Sequence, residues 1–273
     1  MTIHASSGYQ FSAFKGVYTP SLLTILGVVM YLRFGWVLGN VGLASTLVIV
    51  TLSTAITFLT GLSLSALATN MKIGGGGAYY MISRSLGVEV GGAIGLPLFL
   101  AQAFGVSFYV AGFSESIARL APAWSPTLIG IVSLVALTLL AYRSADLALR
   151  MQFIVLTMIA ASLVSLFAGS APTGFPPSAE APAIDPEPFW AVFAVFFPAV
   201  TGIEAGLAMS GDLRDPSKSL PRGTLAAVGT SYLVYLAIPI FLSRVVHDRQ
   251  ALMTNSLIMR DVAAWGPLIL LGL

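Results

Sequence analysis

The sequence predicts an all-α membrane protein with seven complete spans and part of an eighth, and three observations carry that reading. First, 57% of the 273 residues are hydrophobic and only 9% are charged, with a mean hydropathy of +0.91. Soluble proteins carry roughly 25% charged residues, so this chain lacks the charge to solvate a globule of its size. Second, its apolar residues form continuous runs. The bilayer core takes roughly 20 apolar residues per helix, and runs at about 17–38, 41–69, 92–118, 127–142, 151–170, 189–210 and 223–243 qualify. An eighth begins near Ala263 and reaches Leu273. Third, a membrane-spanning barrel reads as alternating segments of roughly ten residues, and these runs do not alternate.

The same composition excludes a water-soluble enzyme, a disordered chain and a nucleic-acid binder. Thirteen basic against 11 acidic residues give a net charge of +2, too small to suggest a polyanion partner. With no cysteine there are no disulfides, thiolate metal sites or cysteine nucleophiles. His4 and His247 lie far apart and make no metal pair. The sequence has no Ser/His/Asp set, no HExxH and no paired carboxylates, and Asp146 and Glu204 stand isolated. Neither enzyme chemistry nor a cofactor is expected. The lipid bilayer is the first partner.

In chain order, residues 1–16 read as a cytoplasmic N-terminal segment. They lack the short apolar region and small-residue cleavage site of a secretory leader, so retention is expected. Residues 17–273 read as one membrane domain, divided into a first half at about 17–170, an external loop at 171–188 and a partial second half at 189–273. Lysines and arginines gather on cytoplasmic loops. With the N-terminus inside, Lys15, Lys72, Arg84, Arg143, Arg150, Arg214, Lys218 and Arg222 lie inside, while Arg119, Arg244, Arg249 and Arg260 lie outside. Arg33 falls within the first span. The loop 171–188 has no base, three acids (Glu180, Asp185 and Glu187) and six prolines, the mark of an irregular external connection.

Two spans look broken. Span one carries Pro20 and then Thr24-Ile25-Leu26-Gly27; span six carries Pro198-Ala199-Val200-Thr201-Gly202, with Glu204 and Gly206 after it. Proline removes a donor and glycine permits unwound dihedrals, and non-helical backbone at membrane depth is tolerated only against protein or a wet cavity. Prolines and glycines also serve membrane helices as kinks and close-packing sites. What sets this pair apart is its correspondence: spans one and six match if five-helix repeats are inverted, and such paired interruptions mark transporter binding sites.

Glu204 is an intramembrane acid, a functional-site hypothesis by default; its structural alternative is a buried partner for Arg33. Glu115, near the outer end of span three, reads as interfacial. The run Gly74–Gly77 is a poor phosphate cradle, since no Gly-Lys-Ser/Thr follows it, and it reads as a flexible cytoplasmic entry to span three. Asp212-Leu213-Arg214-Asp215-Pro216 reads as a solvated cytoplasmic loop.

Three segments resemble the cation–chloride cotransporter family, within the amino-acid/polyamine/organocation superfamily and its LeuT-like fold. They are Ser21 to Arg33 with Trp36 to Gly39, then Gly75 to Gly87 with Glu89, Gly91 and Gly92. The third is Phe196 to Ile203, with Ser210 to Leu213, Asp215, Pro216, Pro221, Gly223 and Thr224. The resemblance covers roughly residues 16–245. It implies a LeuT-like inverted-repeat transporter with helices 1 and 6 broken, moving chloride with potassium, sodium or both by electroneutral symport. Carried over by position, the cation site draws on carbonyls near Thr24, Ile25 and Pro198, the Thr201 hydroxyl and the Tyr109 phenol. One chloride lies against the N–H groups of Gly27, Val28 and Val29, and a second against Gly202, Ile203 and Glu204. The transported alkali cation is the only metal implied, small inorganic ions are the partners beyond lipid, and a homodimer is allowed.

Three departures from the family pattern stand out. Its cation-site asparagine is Thr24 here, its tryptophan two residues on is Leu26, and an apolar residue beside the second chloride is Glu204. An ionised carboxylate a few ångströms from chloride repels it by about 4 kcal/mol at an effective dielectric near 20. Glu204 is therefore protonated, turned away, coupled to a proton, or a replacement for one anion. A LeuT-like core needs ten helices, so the sequence reads as truncated. An amino-acid or amine permease of the same superfamily stays open as the alternative cargo, proton-coupled through Glu204, and a non-transporting membrane protein as the alternative class. A plasma or inner membrane is the expected location.

Overall fold

The structure, a computed structural model, describes residues 11–71, 74–121, 123–143, 145–170 and 185–273. The expectations for His4, Lys72 and Glu180, with most of the segment 1–16 and of the loop 171–188, lie outside the described residues.

Among the described residues the chain is helical. After a π-turn at Phe14–Tyr18 come α1 (Thr19–Ile25), α2 (Val28–Asn70), α3 (Gly77–Leu86), α4 (Val88–Leu120), α5 (Pro126–Arg143) and α6 (Ala145–Phe167). The remainder holds α7 (Phe189–Phe196), a 3₁₀ turn (Phe197–Val200), α8 (Glu204–Ala208), a second 3₁₀ turn (Met209–Asp212), α9 (Pro216–Val245), α10 (Arg249–Thr254), α11 (Ile258–Val262) and α12 (Gly266–Gly272). Six described segments are long and apolar enough to cross a membrane: Phe14–Asn70, Val88–Ala118, Pro126–Arg143, Arg150–Phe167, Phe189–Asp212 and Pro216–Val245. The first holds both spans one and two. Where the sequence suggested a short connection, the helix continues through a kink at Gly42, whose φ of 73° and ψ of 172° are non-helical.

Span interiors show why helices form here. Lipid supplies no hydrogen bonds, so every backbone group must be satisfied internally. The hydroxyls follow suit by bonding back to their own helix: Thr46 to Gly42 O, Ser65 to Gly61 O and Ser114 to Val110 O lie at 2.6–2.7 Å.

Two compact units divide the chain, and their borders at Ile25/Leu26 and Val200/Thr201 fall beside the interruptions of spans one and six. One unit comprises Met1–Ile25, described from residue 11, with Ala55–Ala103 and Thr201–Thr230. Its core includes Val17, Leu22, Met81, Leu207 and Leu220. Small residues let its backbones approach: a Cβ on Gly206 would lie 2.5 Å from Ser21 Oγ, and one on Gly223 would lie 2.6 Å from Val17 Cβ. The other unit comprises Leu26–Thr54, Phe104–Val200 and Ser231–Leu273. Tyr31, Phe34, Phe196, Tyr235, Ile238 and Leu242 fill its core. There α12 packs on α6, and a Cβ on Gly272 would stand 2.6 Å from both Tyr31 Oη and Ser162 Oγ.

Candidate functional site

Both spans expected to break do so. Helix α1 ends at Ile25 and α2 begins at Val28, leaving Leu26-Gly27 non-helical. In span six the helix tightens to 3₁₀ at Phe197–Val200 and unwinds over Thr201-Gly202-Ile203 before α8. The start of α2 leaves its first N–H groups outside the i→i−4 ladder, with Met30 N–H returning to Gly27 O at 3.0 Å.

The first unit holds Thr24, Ile25, Thr201, Gly202, Ile203 and Glu204. Gly202 adopts φ +117°, and a Cβ there would lie 2.8 Å from Thr24 Cγ2 and 2.9 Å from Thr24 Cβ. Only glycine supplies both the dihedral and the approach. The Thr24 hydroxyl donates to Pro20 O at 2.7 Å, one turn back along α1. Ser21 donates to Ile203 O at 3.4 Å. The Gly206 and Leu207 side of α8 is buried, whereas Thr201 and Glu204 are exposed. Glu204 forms no ion pair among the described residues.

The second unit holds Gly27, Val28, Val29, Tyr109 and Pro198. Val28 sits on Gly112, where a Cβ would come 2.5 Å from Val28 Cγ2. Tyr109 lies one turn earlier on that face of α4 and lines an apolar groove of about 420 Å³ with Val110, Phe113, Leu137 and Leu273. Glu115 lines a second groove, of about 380 Å³, with Ser107, Ser114 and Thr127. Neither groove contains another expected ion ligand.

Two readings of the connecting segments need correction. Gly74–Gly77 is a packed seam, not a loose entry. Ser210 Oγ donates to Gly74 O at 3.0 Å and accepts from Gly77 N–H at 3.3 Å, and a Cβ on Gly211 would lie 2.9 Å from Gly75 Cα. The segment 212–216 is only partly solvated, because Leu213 is buried and bridges to Phe11. Phe11 N–H donates to Asp212 O at 2.9 Å, and Arg214 N–H to Phe11 O at 3.1 Å. Asp215 keeps the surface role expected of it. The Ser217 hydroxyl and Lys218, whose Nζ lies 3.3 Å from Oδ2, hold its carboxyl below the ordinary carboxylate range.

Sequence reasoning passed over Ser21 as an individual side chain, Gly112 and Tyr235. A tyrosine alone in the apolar run 233–242 was a readable signal, because a buried phenol needs a partner; the other two emerge only from packing.

Apolar crossings with two glycine-bearing interruptions define a multi-pass helical membrane protein with discontinuous spans. The model of the amino acid permease family matches residues 16–273, and the chain belongs to that family. Among curated relatives it is similar to human solute carrier family 12 member 1, 36% identical over 91% of this chain and 25% of the relative. Human solute carrier family 12 member 2 is 35% identical over 90% of this chain and 22% of the relative. Human member 8 is 37% identical over 96% and 39%. The chain thus spans about a quarter of the length of the first two.

Proposed function

We propose that the chain forms the ion-binding part of a secondary active transporter that symports chloride with potassium, sodium or both by alternating access. The paired interruptions at Leu26-Gly27 and Thr201–Ile203 carry this reading. The second half-helix of a broken span offers N–H groups to an anion, and freed carbonyls suit a cation. The cation set is Thr24, Ile25, Tyr109, Pro198 and Thr201. Chloride is assigned to Gly27, Val28 and Val29 at the start of the 43-residue α2. Family resemblance alone assigns a second chloride to Gly202, Ile203 and Glu204. Residues 17–170 act as the first repeat and 189–273 as part of the second, in a plasma or inner membrane with the N-terminus cytoplasmic.

Glu204 favours a second reading, an amino-acid or amine permease, because an exposed carboxylate beside the break suits an ammonium group or a proton. One assay separates the two. Proteoliposomes are loaded with the protein and followed for labelled chloride, rubidium and amino-acid uptake across a pH series, alongside Glu204→Leu. The symport reading expects rubidium uptake that requires chloride, with a chloride flux that rises as pH falls and loses that slope in the variant. Amino-acid uptake without chloride dependence overturns it.

A further inference from the structure

Tyr235 is fully buried in α9, and its hydroxyl donates to the Ala199 carbonyl at 3.0 Å. Ala199 lies in the 3₁₀ turn just before span six unwinds. In a continuous helix that carbonyl would take the N–H four residues on. Here the regular ladder stops at the break, and a buried carbonyl still needs a donor. The phenol is that donor.

Its ring is held as firmly as its oxygen. Phe34 and Phe196 meet it edge-on with centroids at 5.2 and 5.9 Å, and they meet each other at 5.1 Å. Such T-shaped pairs fix orientation beyond simple area burial, and all three rings are inaccessible. Phe34 lies on α2 six residues after its first, Val28, and Phe196 ends α7. One side chain therefore grips the helix that follows the first interruption and the helix that precedes the second.

We propose that Tyr235 is a positioning residue for cation binding. By engaging the Ala199 carbonyl it sets the rotation of the Phe197–Val200 turn, and with it the placing of the neighbouring Pro198 carbonyl. The phenol itself touches no ion. This inference rests on Pro198 being a cation ligand, as proposed above.

Tyr235→Phe keeps the ring and removes only the donor. In the proteoliposome assay it is expected to raise the KM for rubidium about tenfold, the scale of one buried hydrogen bond, with maximal rate and chloride KM unchanged. A purely structural loss would lower the maximal rate, or move both KM values together. Amide hydrogen exchange gives a readout independent of cargo: residues 199–205 should exchange faster in the variant while the start of α2 does not. An unchanged rubidium KM, or a joint rise in both KM values, overturns the proposal. Should the wild type show no cation-dependent uptake, the transport reading fails and the exchange data decide on Tyr235. Unaltered exchange at 199–205 then overturns its positioning role.

Discussion

At Gly202 the backbone turns through φ +117° directly against Thr24, so two independent requirements meet on one residue. A side chain would be strained in that conformation wherever it pointed, and its Cβ would also overlap a threonine whose hydroxyl is already bonded to Pro20 O. Gly202→Ala should cost about 2–4 kcal/mol, combining backbone strain with overpacking, read as a lower thermal midpoint in detergent. Gly229→Ala is the control, since nothing lies within 4 Å of a Cβ there, and it should be neutral or mildly stabilising. An equal loss in both variants would mean that the Thr24 contact has no special weight. That Gly202 would unwind was legible in the sequence, because Pro198 and Gly202 bracket a polar threonine in an apolar run. Its seat on Thr24 was not legible, since that contact joins residues 178 positions apart.

Between elements, the structure uses backbone where sequence intuition expected looseness. A run of four glycines read as flexibility, yet each missing Cβ admits main chain or a neighbouring ring. Gly77 closes on Leu207 O and Gly211 on Gly75, with Ser210 joining the two sides. Composition alone cannot separate a glycine that is free from one that is tightly approached. Ser210→Ala should cost about 1–3 kcal/mol, because it leaves a buried N–H and a carbonyl short of a partner. Amide exchange should rise at Gly77 in particular, and an unchanged rate there would show that the hydroxyl contributes nothing to the seam. The interruptions themselves came through clearly from proline and glycine placement. The kink at Gly42 and the short α10 and α11 did not, although Asp248 caps α10 locally by accepting from Gln250 N–H and Ala251 N–H. Arg249 of α10 donates to Gly39 O and Asn40 O at 2.6 and 2.7 Å, bonds between residues about 210 positions apart in sequence.

For the whole molecule, hydropathy was enough to place the apolar crossings, because lipid imposes one uniform demand on every span. The ligand geometry was not accessible in the same way, since it depends on which backbone groups the breaks release. Orientation can be measured directly, because the chain has no cysteine of its own. With the N-terminus cytoplasmic, Ser125→Cys should react with an impermeant maleimide on intact cells, and Ser217→Cys only after permeabilisation. The reverse pattern would invert the assignment. The bridge between Phe11 and Leu213 bears on how such a protein is handled at the bench. Residues ahead of a first span are routinely trimmed to aid purification. Here a cut after residue 11 would strip the segment 212–214 of two main-chain partners and uncover the buried Leu213, so the trimmed protein would carry a sticky patch its designers had not intended.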